Sequence, residues 1–169
     1  MAKVNIKGDP VTLRGEIPGV GEKAREFRYV KPDLSEGSLF ATEGKLKIII
    51  AVPSLDTRVC AMETRKFNES LSGLEGVTAL VISMDLPYAI RRFCELEGIK
   101  NVIGASDFRY REFIERYNTQ IKDGKMKGLS ARAIFIIDSE NVIRYAELVP
   151  EISQEPDYEA ALRALRKLL

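Results

Sequence analysis

The sequence predicts an α/β fold in which helices flank a central mixed sheet and an N-terminal β-hairpin precedes it. Three near-continuous apolar segments, typical of strands covered on both faces, lie at residues 46–52, 77–84 and 132–138. Helical stretches separate them, and strands that alternate with helices are typical of α/β domains. With 169 residues, the chain is long enough for a substantial core, so we expect residues 1–169 to form a single domain.

The elements before the central sheet are short. Residues 4–6 and 11–13 alternate in polarity around turn residues 7–10, which predicts the β-hairpin. A loop rich in Gly and Pro follows. A strand is then expected at 26–30 and a turn at 31–33.

The segments between and after the apolar runs predict the helices and the last strand. Pro87 and Pro156 suit the first turn of a helix. Residues 142–148 alternate more and follow strand 132–138 closely, which predicts an antiparallel pair joined by a turn at 138–141. Four helices are predicted, at 57–71, 87–97, 108–117 and from 156 to the C-terminus.

Composition excludes several classes of function. Lys and Arg total 26 against 25 for Asp and Glu, and a net charge of +1 creates no basic field to attract nucleic acid or an anionic membrane. No apolar run approaches the ~20 residues of a membrane span, and the first residues lack the apolar core of a secretory signal. We therefore expect a soluble, cytoplasmic protein with no nucleic-acid or membrane partner.

The chain contains no histidine and only two cysteines, Cys60 and Cys94, 34 positions apart. The absence of histidine excludes Ser-His and Cys-His nucleophile pairs and histidine-ligated zinc. Two separated cysteines form neither a Cys-x-x-Cys pair nor a zinc or iron–sulfur site, so no metal or other cofactor is predicted. Core filling by either cysteine, a disulfide oxidoreductase and an extracellular module with a structural disulfide remain alternatives.

The segment before Cys60 lies where strand 46–52 ends and the next helix begins. Catalytic groups in open α/β sheets gather at this carboxyl edge, and a helix N-terminus stabilises a thiolate. Thr57 is one helical turn before Cys60, within reach of the sulfur, and Pro53 would shape the loop and shield the sulfur from water. Taken alone, Thr57 is more often a helix cap and Pro53 a turn residue.

Together, Pro53, Thr57 and Cys60 reproduce the P-x-x-x-T-x-x-C pattern of peroxiredoxins, and Glu63 matches an acidic residue often found three positions after that cysteine. With Ala61 after the cysteine, the string resembles the thiol peroxidase subfamily. Further resemblance occurs at residues 66–68, 85–87, 92–94, 127–129 and 155–162. It implies a thioredoxin-like fold, a homodimer, hydrogen peroxide and organic hydroperoxides as substrates, and thioredoxin as the usual reductant.

The resemblance also implies residue roles. Cys60 is the peroxidatic cysteine, which peroxide oxidises to a sulfenic acid, and Cys94 is the resolving cysteine, which condenses with it to an intramolecular disulfide. Arg132, which in isolation would more often be solvated, corresponds to the arginine beside the reactive sulfur. A disulfide needs Cα atoms within ~7 Å, whereas the peroxide needs room beside Cys60. Oxidation is therefore expected to unwind or shift part of 57–67 or 87–97.

Overall fold

The protein is described by a computed structural model that covers residues 2–169. The chain begins with the predicted hairpin, formed by β1 (Lys3–Ile6) and β2 (Asp9–Thr12). The two strands pair antiparallel, with Val4 opposite Val11. At the turn, Lys7 and Gly8 adopt φ angles of 50° and 86°, a conformation that glycine adopts without a steric cost.

The remaining strands form one mixed sheet. They are β3 (Arg28–Val30), β4 (Glu36–Ser38), β5 (Leu46–Ala51), β6 (Val77–Ser83), β7 (Ile103–Ser106), β8 (Ala133–Ile137) and β9 (Ile143–Leu148). Their spatial order is β4-β3-β7-β6-β5-β8-β9. The central strands β5, β6 and β7 are parallel, and β8 is antiparallel to β5. The mixed α/β sheet is confirmed, as is the antiparallel pairing of β8 with β9.

Side chains on β5 explain why its sequence is an uninterrupted apolar run. Ile48 and Ile50 belong to the cluster on one face of the sheet, together with Phe67. Ile49 belongs to the cluster on the opposite face, together with Phe113. Because successive side chains of a strand point to opposite faces, a strand covered on both faces is apolar at every position.

Four helices occur among residues 2–169, and two depart from expectation. They are α1 (Arg58–Ser70), α2 (Pro87–Glu97), α3 (Glu112–Arg116) and α4 (Tyr158–Leu168). The predicted helix at 108–117 begins only at Glu112, because Arg111 takes a left-handed φ of 59°. Pro156 is not in the first turn, since Asp157 is the N-cap and its side chain accepts the N–H of Ala160 at 3.0 Å. Among residues 2–169, no helix is long and apolar enough to cross a membrane.

Strands β4 and β7 were not predicted. Each is short and contains a glycine, Gly37 or Gly104, that interrupts the apolar pattern. A Cβ on Gly104 would overlap Ile90 Cγ2 of α2. Glycine at this position therefore lets α2 pack directly against the sheet.

Candidate active site

Cys60 is the third residue of α1, and its side chain is 0% exposed. The first bond of the helix runs from the N–H of Ala61 to the Thr57 carbonyl at 3.0 Å. The N–H groups of the preceding helical residues, including that of Cys60, therefore have no acceptor within the helix. Thr57 is the N-cap but makes no side-chain capping bond. The thiol thus lies in the positive field of an uncapped helix N-terminus.

Arg132 lies beside the thiol and is 2% exposed. Its Nε and Nη2 atoms donate to the carbonyl of Ile152 at 3.1 and 2.9 Å, and Nη1 donates to Glu63 Oε2 at 2.5 Å. Burial opposes ionisation, but the nearby charges of Glu63 and Cys60, together with the hydrogen bond to Glu63, raise the pKa of Arg132 above its ordinary value. These three bonds leave further guanidinium N–H donors for the sulfur.

Glu63 lies one helical turn after Cys60 and is fully buried. Burial raises the pKa of Glu63 to about 7, although Arg132 acts in the opposite direction, and the more distant Glu147 and Glu155 add a smaller upward effect. Its second oxygen, Oε1, has no hydrogen-bond partner among residues 2–169. The carboxyl group is therefore held on one side only, by the guanidinium that faces the thiol.

The loop before α1 is held by Asp85, which follows β6. The carboxylate of Asp85 accepts from Ser54 Oγ and from the Leu55 N–H, both at 2.7 Å. Within the loop, the Thr57 hydroxyl donates to the Ser54 carbonyl at 3.0 Å. Pro53 is buried and Thr57 is exposed. The expected contact of the Thr57 hydroxyl is with the sulfur, but in this structure its partner is the Ser54 carbonyl.

A cleft of about 610 Å³ separates the first turn of α1 from α2. Thr57 and Ala61 line one wall, and Arg92, Phe93 and Leu96 line the other. The lining mixes apolar side chains with polar ones, namely the guanidinium of Arg92, two hydroxyl groups and the carboxylates of Asp56, Asp85 and Glu97. The cleft opens next to the turn that carries Cys60, so it offers an approach for a small substrate.

Cys94 lies on α2, is partly buried and packs against the hydrophobic cluster that contains Cys60. Its sulfur packs 3.5 Å from the position that a Cβ on Gly104 would occupy. Burial, and to a smaller extent the charge of Glu95, raises the pKa of the Cys94 thiol. Both cysteines are free thiols in this structure.

The structure therefore brings Cys60, Arg132 and Glu63 together, with Pro53 and Thr57 in the adjoining loop. Sequence reasoning missed Asp85 and the carbonyl of Ile152. Asp85 could have been found, because it follows β6 at the same sheet edge as the loop after the parallel neighbour β5. A backbone carbonyl leaves no signal in the residue type.

Known proteins match this chain over nearly its whole length. A family model described as Redoxin matches residues 19–162. The chain is 53% identical over 171 residues to a thiol peroxidase of Leptospira interrogans, with 100% of both chains covered. It is 49% identical over 166 residues to a thiol peroxidase of Aquifex aeolicus, with 98% of each covered. The crystal structure of a peroxiredoxin-like protein from Aquifex aeolicus superimposes with a TM-score of 0.95 at 48% identity, covering 100% of this chain and 98% of that one.

Proposed function

This chain belongs to the Redoxin family as one of its thiol peroxidases, peroxiredoxin-type enzymes that reduce peroxides with thiols, and we propose that Cys60 is its peroxidatic cysteine and Cys94 its resolving cysteine. The observation that carries the proposal is the pairing of Cys60 with Arg132. Cys60 stands at an uncapped helix N-terminus and interacts with a buried guanidinium. Cys94 has neither feature.

The first step is a nucleophilic displacement on oxygen. The Cys60 thiolate attacks one oxygen of the hydroperoxide, an S–O bond forms and the O–O bond breaks. Sulfur is oxidised by two electrons to the sulfenic acid, and the peroxide is reduced to an alkoxide or hydroxide, which leaves as alcohol or water once protonated. Arg132 and the helix N–H groups stabilise the thiolate and the negative charge that develops on the departing oxygen.

Thr57 contributes as a hydrogen-bond acceptor. Its hydroxyl has one proton, which it donates to the Ser54 carbonyl, so its lone pairs remain for the O–H of the hydroperoxide. Pro53 is a buried residue of this loop and keeps water from the sulfur. These contacts orient the substrate without a metal or other cofactor.

The second step joins the two cysteines. The Cys94 sulfur attacks the sulfenic sulfur, so that an S–S bond forms and the S–O bond breaks. The departing hydroxyl group takes up a proton and leaves as water. A dithiol protein, thioredoxin or one similar to it, then reduces the disulfide by thiol exchange and is itself oxidised. The Cys94 sulfur packs against β7 before this step, so α2 must move to deliver it.

The enzyme is further proposed to act as a homodimer. Tyr88 is 68% exposed and lines a recess with Leu34, Leu86 and Phe108, which are also exposed. A contiguous apolar patch of this kind is typical of a protein interface. Light scattering should give twice the chain mass, and Tyr88→Glu should shift the mass to that of the monomer.

The two cysteine variants test the assignment of roles. Cys60→Ser should consume no peroxide, whereas Cys94→Ser should complete one fast turnover and then stall or advance to the sulfinic acid. Rapid quenching, dimedone trapping and peptide mass spectrometry would locate the oxidised sulfur. Equal first-turnover rates in the two variants would show that the roles are assigned wrongly.

A further inference from the structure

Asp85 connects the strand end of β6 with the loop that precedes Cys60. It lies one residue before Leu86, the N-cap of α2. Its Oδ1 accepts from Ser54 Oγ and its Oδ2 from the Leu55 N–H, each at 2.7 Å. One carboxylate therefore holds the loop by a side chain and by the backbone.

Asp85 is itself fixed by two serines of the sheet. Ser83 Oγ donates to Asp85 Oδ2 at 2.8 Å, and Ser106 Oγ donates to the Asp85 carbonyl at 2.6 Å. Both serines are 1% exposed, and they are register partners at the ends of β6 and β7. Because buried core strands open only at high free energy, the two serines anchor Asp85, and Asp85 in turn positions the loop.

The loop passes this constraint on to Thr57. Ser54 Oγ accepts the N–H of Asp56 at 3.1 Å, and the Ser54 carbonyl accepts the Thr57 hydroxyl at 3.0 Å. The direction of the Thr57 proton is thus fixed by a residue that Asp85 holds. Asp85 has no direct bond to Thr57, so any effect on it passes through Ser54.

We propose that Asp85 is a positioning residue for the attack on peroxide, acting through Ser54 to hold the Thr57 hydroxyl with its lone pairs directed to the substrate. The proposal rests on the peroxidatic role proposed for Cys60. It predicts a loss of rate in the first step, since displacement of a reacting group by about 1 Å can cost ~10²-fold.

A double-mutant cycle in the Cys94→Ser background tests the coupling, because resolution is then absent. The measured quantity is the second-order rate constant of Cys60 sulfenic acid formation, from rapid quenching and dimedone trapping with hydrogen peroxide. Asp85→Asn replaces one acceptor oxygen with an amide that cannot accept a hydrogen bond. It should lower the rate about 10-fold to 100-fold alone, but less than about twofold when Thr57→Val is already present.

Asp138→Asn is the matched control. Asp138 is half-buried like Asp85, and its carboxylate likewise accepts backbone N–H groups, those of Glu140 and Val142, at the turn between β8 and β9. Its other oxygen pairs with Arg144 at 2.7 Å. The variant should therefore lose at least as much stability as Asp85→Asn and still retain the parental rate. If Asp85→Asn does not fold, Ser54→Ala removes one arm of the same link and should slow the same step.

Two outcomes would overturn the proposal. One is a parental rate in Asp85→Asn or, where that variant does not fold, in Ser54→Ala. The other is a loss from Asp85→Asn that is undiminished in the Thr57→Val background, which would indicate a general structural effect. Failure of the proposed function would look different, because the Cys94→Ser parent would then form no sulfenic acid at Cys60.

Discussion

Arg132 and Glu63 form a buried ion pair, with Nη1 2.5 Å from Oε2 and both side chains almost without solvent exposure. From the sequence, Arg132→Ala is expected to slow the reaction and to leave the fold standing. Because the pair is buried, the expectation that the fold stays intact no longer holds. Removal of one partner of a buried ion pair costs about 3–5 kcal/mol, a large part of the ~5–15 kcal/mol that stabilises a typical domain.

We therefore predict that Arg132→Ala is strongly destabilised and that Glu63→Gln partly restores it. The double variant leaves no uncompensated buried charge, so its loss in the free energy of unfolding should be smaller than that of Arg132→Ala alone. Urea unfolding at pH 8 measures both, and peroxide attack should stay slow in both. A double variant less stable than Arg132→Ala would show that the pair is not the source of the loss.

A second prediction concerns the pH dependence of stability. Burial raises the pKa of Glu63 from 4.5 to about 7, so the native state holds a proton that the unfolded chain releases near pH 4.5. This stabilisation is complete below about pH 4.5 and is lost as the pH rises through about 7. A shift of this size corresponds to about 3 kcal/mol.

Urea unfolding at pH 5 and pH 8 would test this. The unmodified protein should lose more unfolding free energy between the two values than Glu63→Gln does. The variant should keep a smaller decrease, because burial also raises the pKa of Asp107 to about 7. Identical decreases in both proteins would mean that Glu63 does not titrate in this range.

Some strands of the sheet could be predicted from the sequence and others could not. The strands β5, β6 and β8 were predictable because burial on both faces makes each an apolar run. β7 was not, because Gly104 removes a side chain to admit α2. Such a glycine reflects a contact between distant segments and has no local pattern.

The same distinction applies to the candidate site. Cys60, Thr57 and Pro53 form one local string at the end of a strand, so their proximity follows from the sequence. Arg132 is 69 positions from Glu63, and its neighbourhood was inferred only from family resemblance. Asp85 reaches the loop across two parallel strand ends, which requires the strand order to be known.

A third prediction follows from the close packing of Gly104 under α2. The Cβ of Gly104→Ala would overlap Ile90 Cγ2 and lie 3.5 Å from the Cys94 sulfur. Overpacking of this kind costs about 1–3 kcal/mol, and the strain falls on the helix that carries Cys94. In the proposed mechanism α2 leaves the sheet to form the disulfide, so Gly104→Ala should speed disulfide formation while it lowers the melting temperature.

The matched control is Gly19→Ala, whose Cβ would approach only Glu22 Oε2, at 3.4 Å. Quenching a single turnover and counting free thiols by mass spectrometry gives the disulfide rate separately from the rate of Cys60 oxidation. Gly104→Ala should raise the rate of disulfide formation about tenfold for each 1.4 kcal/mol of strain. The rate of Cys60 oxidation should stay near the parental value. Slower disulfide formation would imply that α2 delivers Cys94 without leaving the sheet.

The last prediction concerns which segment opens on oxidation. α1 buries four side chains, including Cys60 and Phe67, whereas α2 buries only Pro87 and Ile90, both in its first half. The second half ends at Gly98, which takes a left-handed φ of 64° and caps the Cys94 carbonyl. Segments with few buried contacts open at the lowest free energy.

We therefore expect oxidation to unwind the second half of α2 and to leave most of α1 folded. Hydrogen exchange followed by mass spectrometry should show weaker protection at residues 91–98 in the disulfide form than in the dithiol form. The strands β5 and β8 should exchange equally slowly in both. Cys94→Ser treated with peroxide serves as the control, because the proposed mechanism oxidises its Cys60 but leaves it unable to form the disulfide. Equal protection of 91–98 in the disulfide and dithiol forms would contradict local opening of α2, even if Cys60 and Cys94 still form the disulfide.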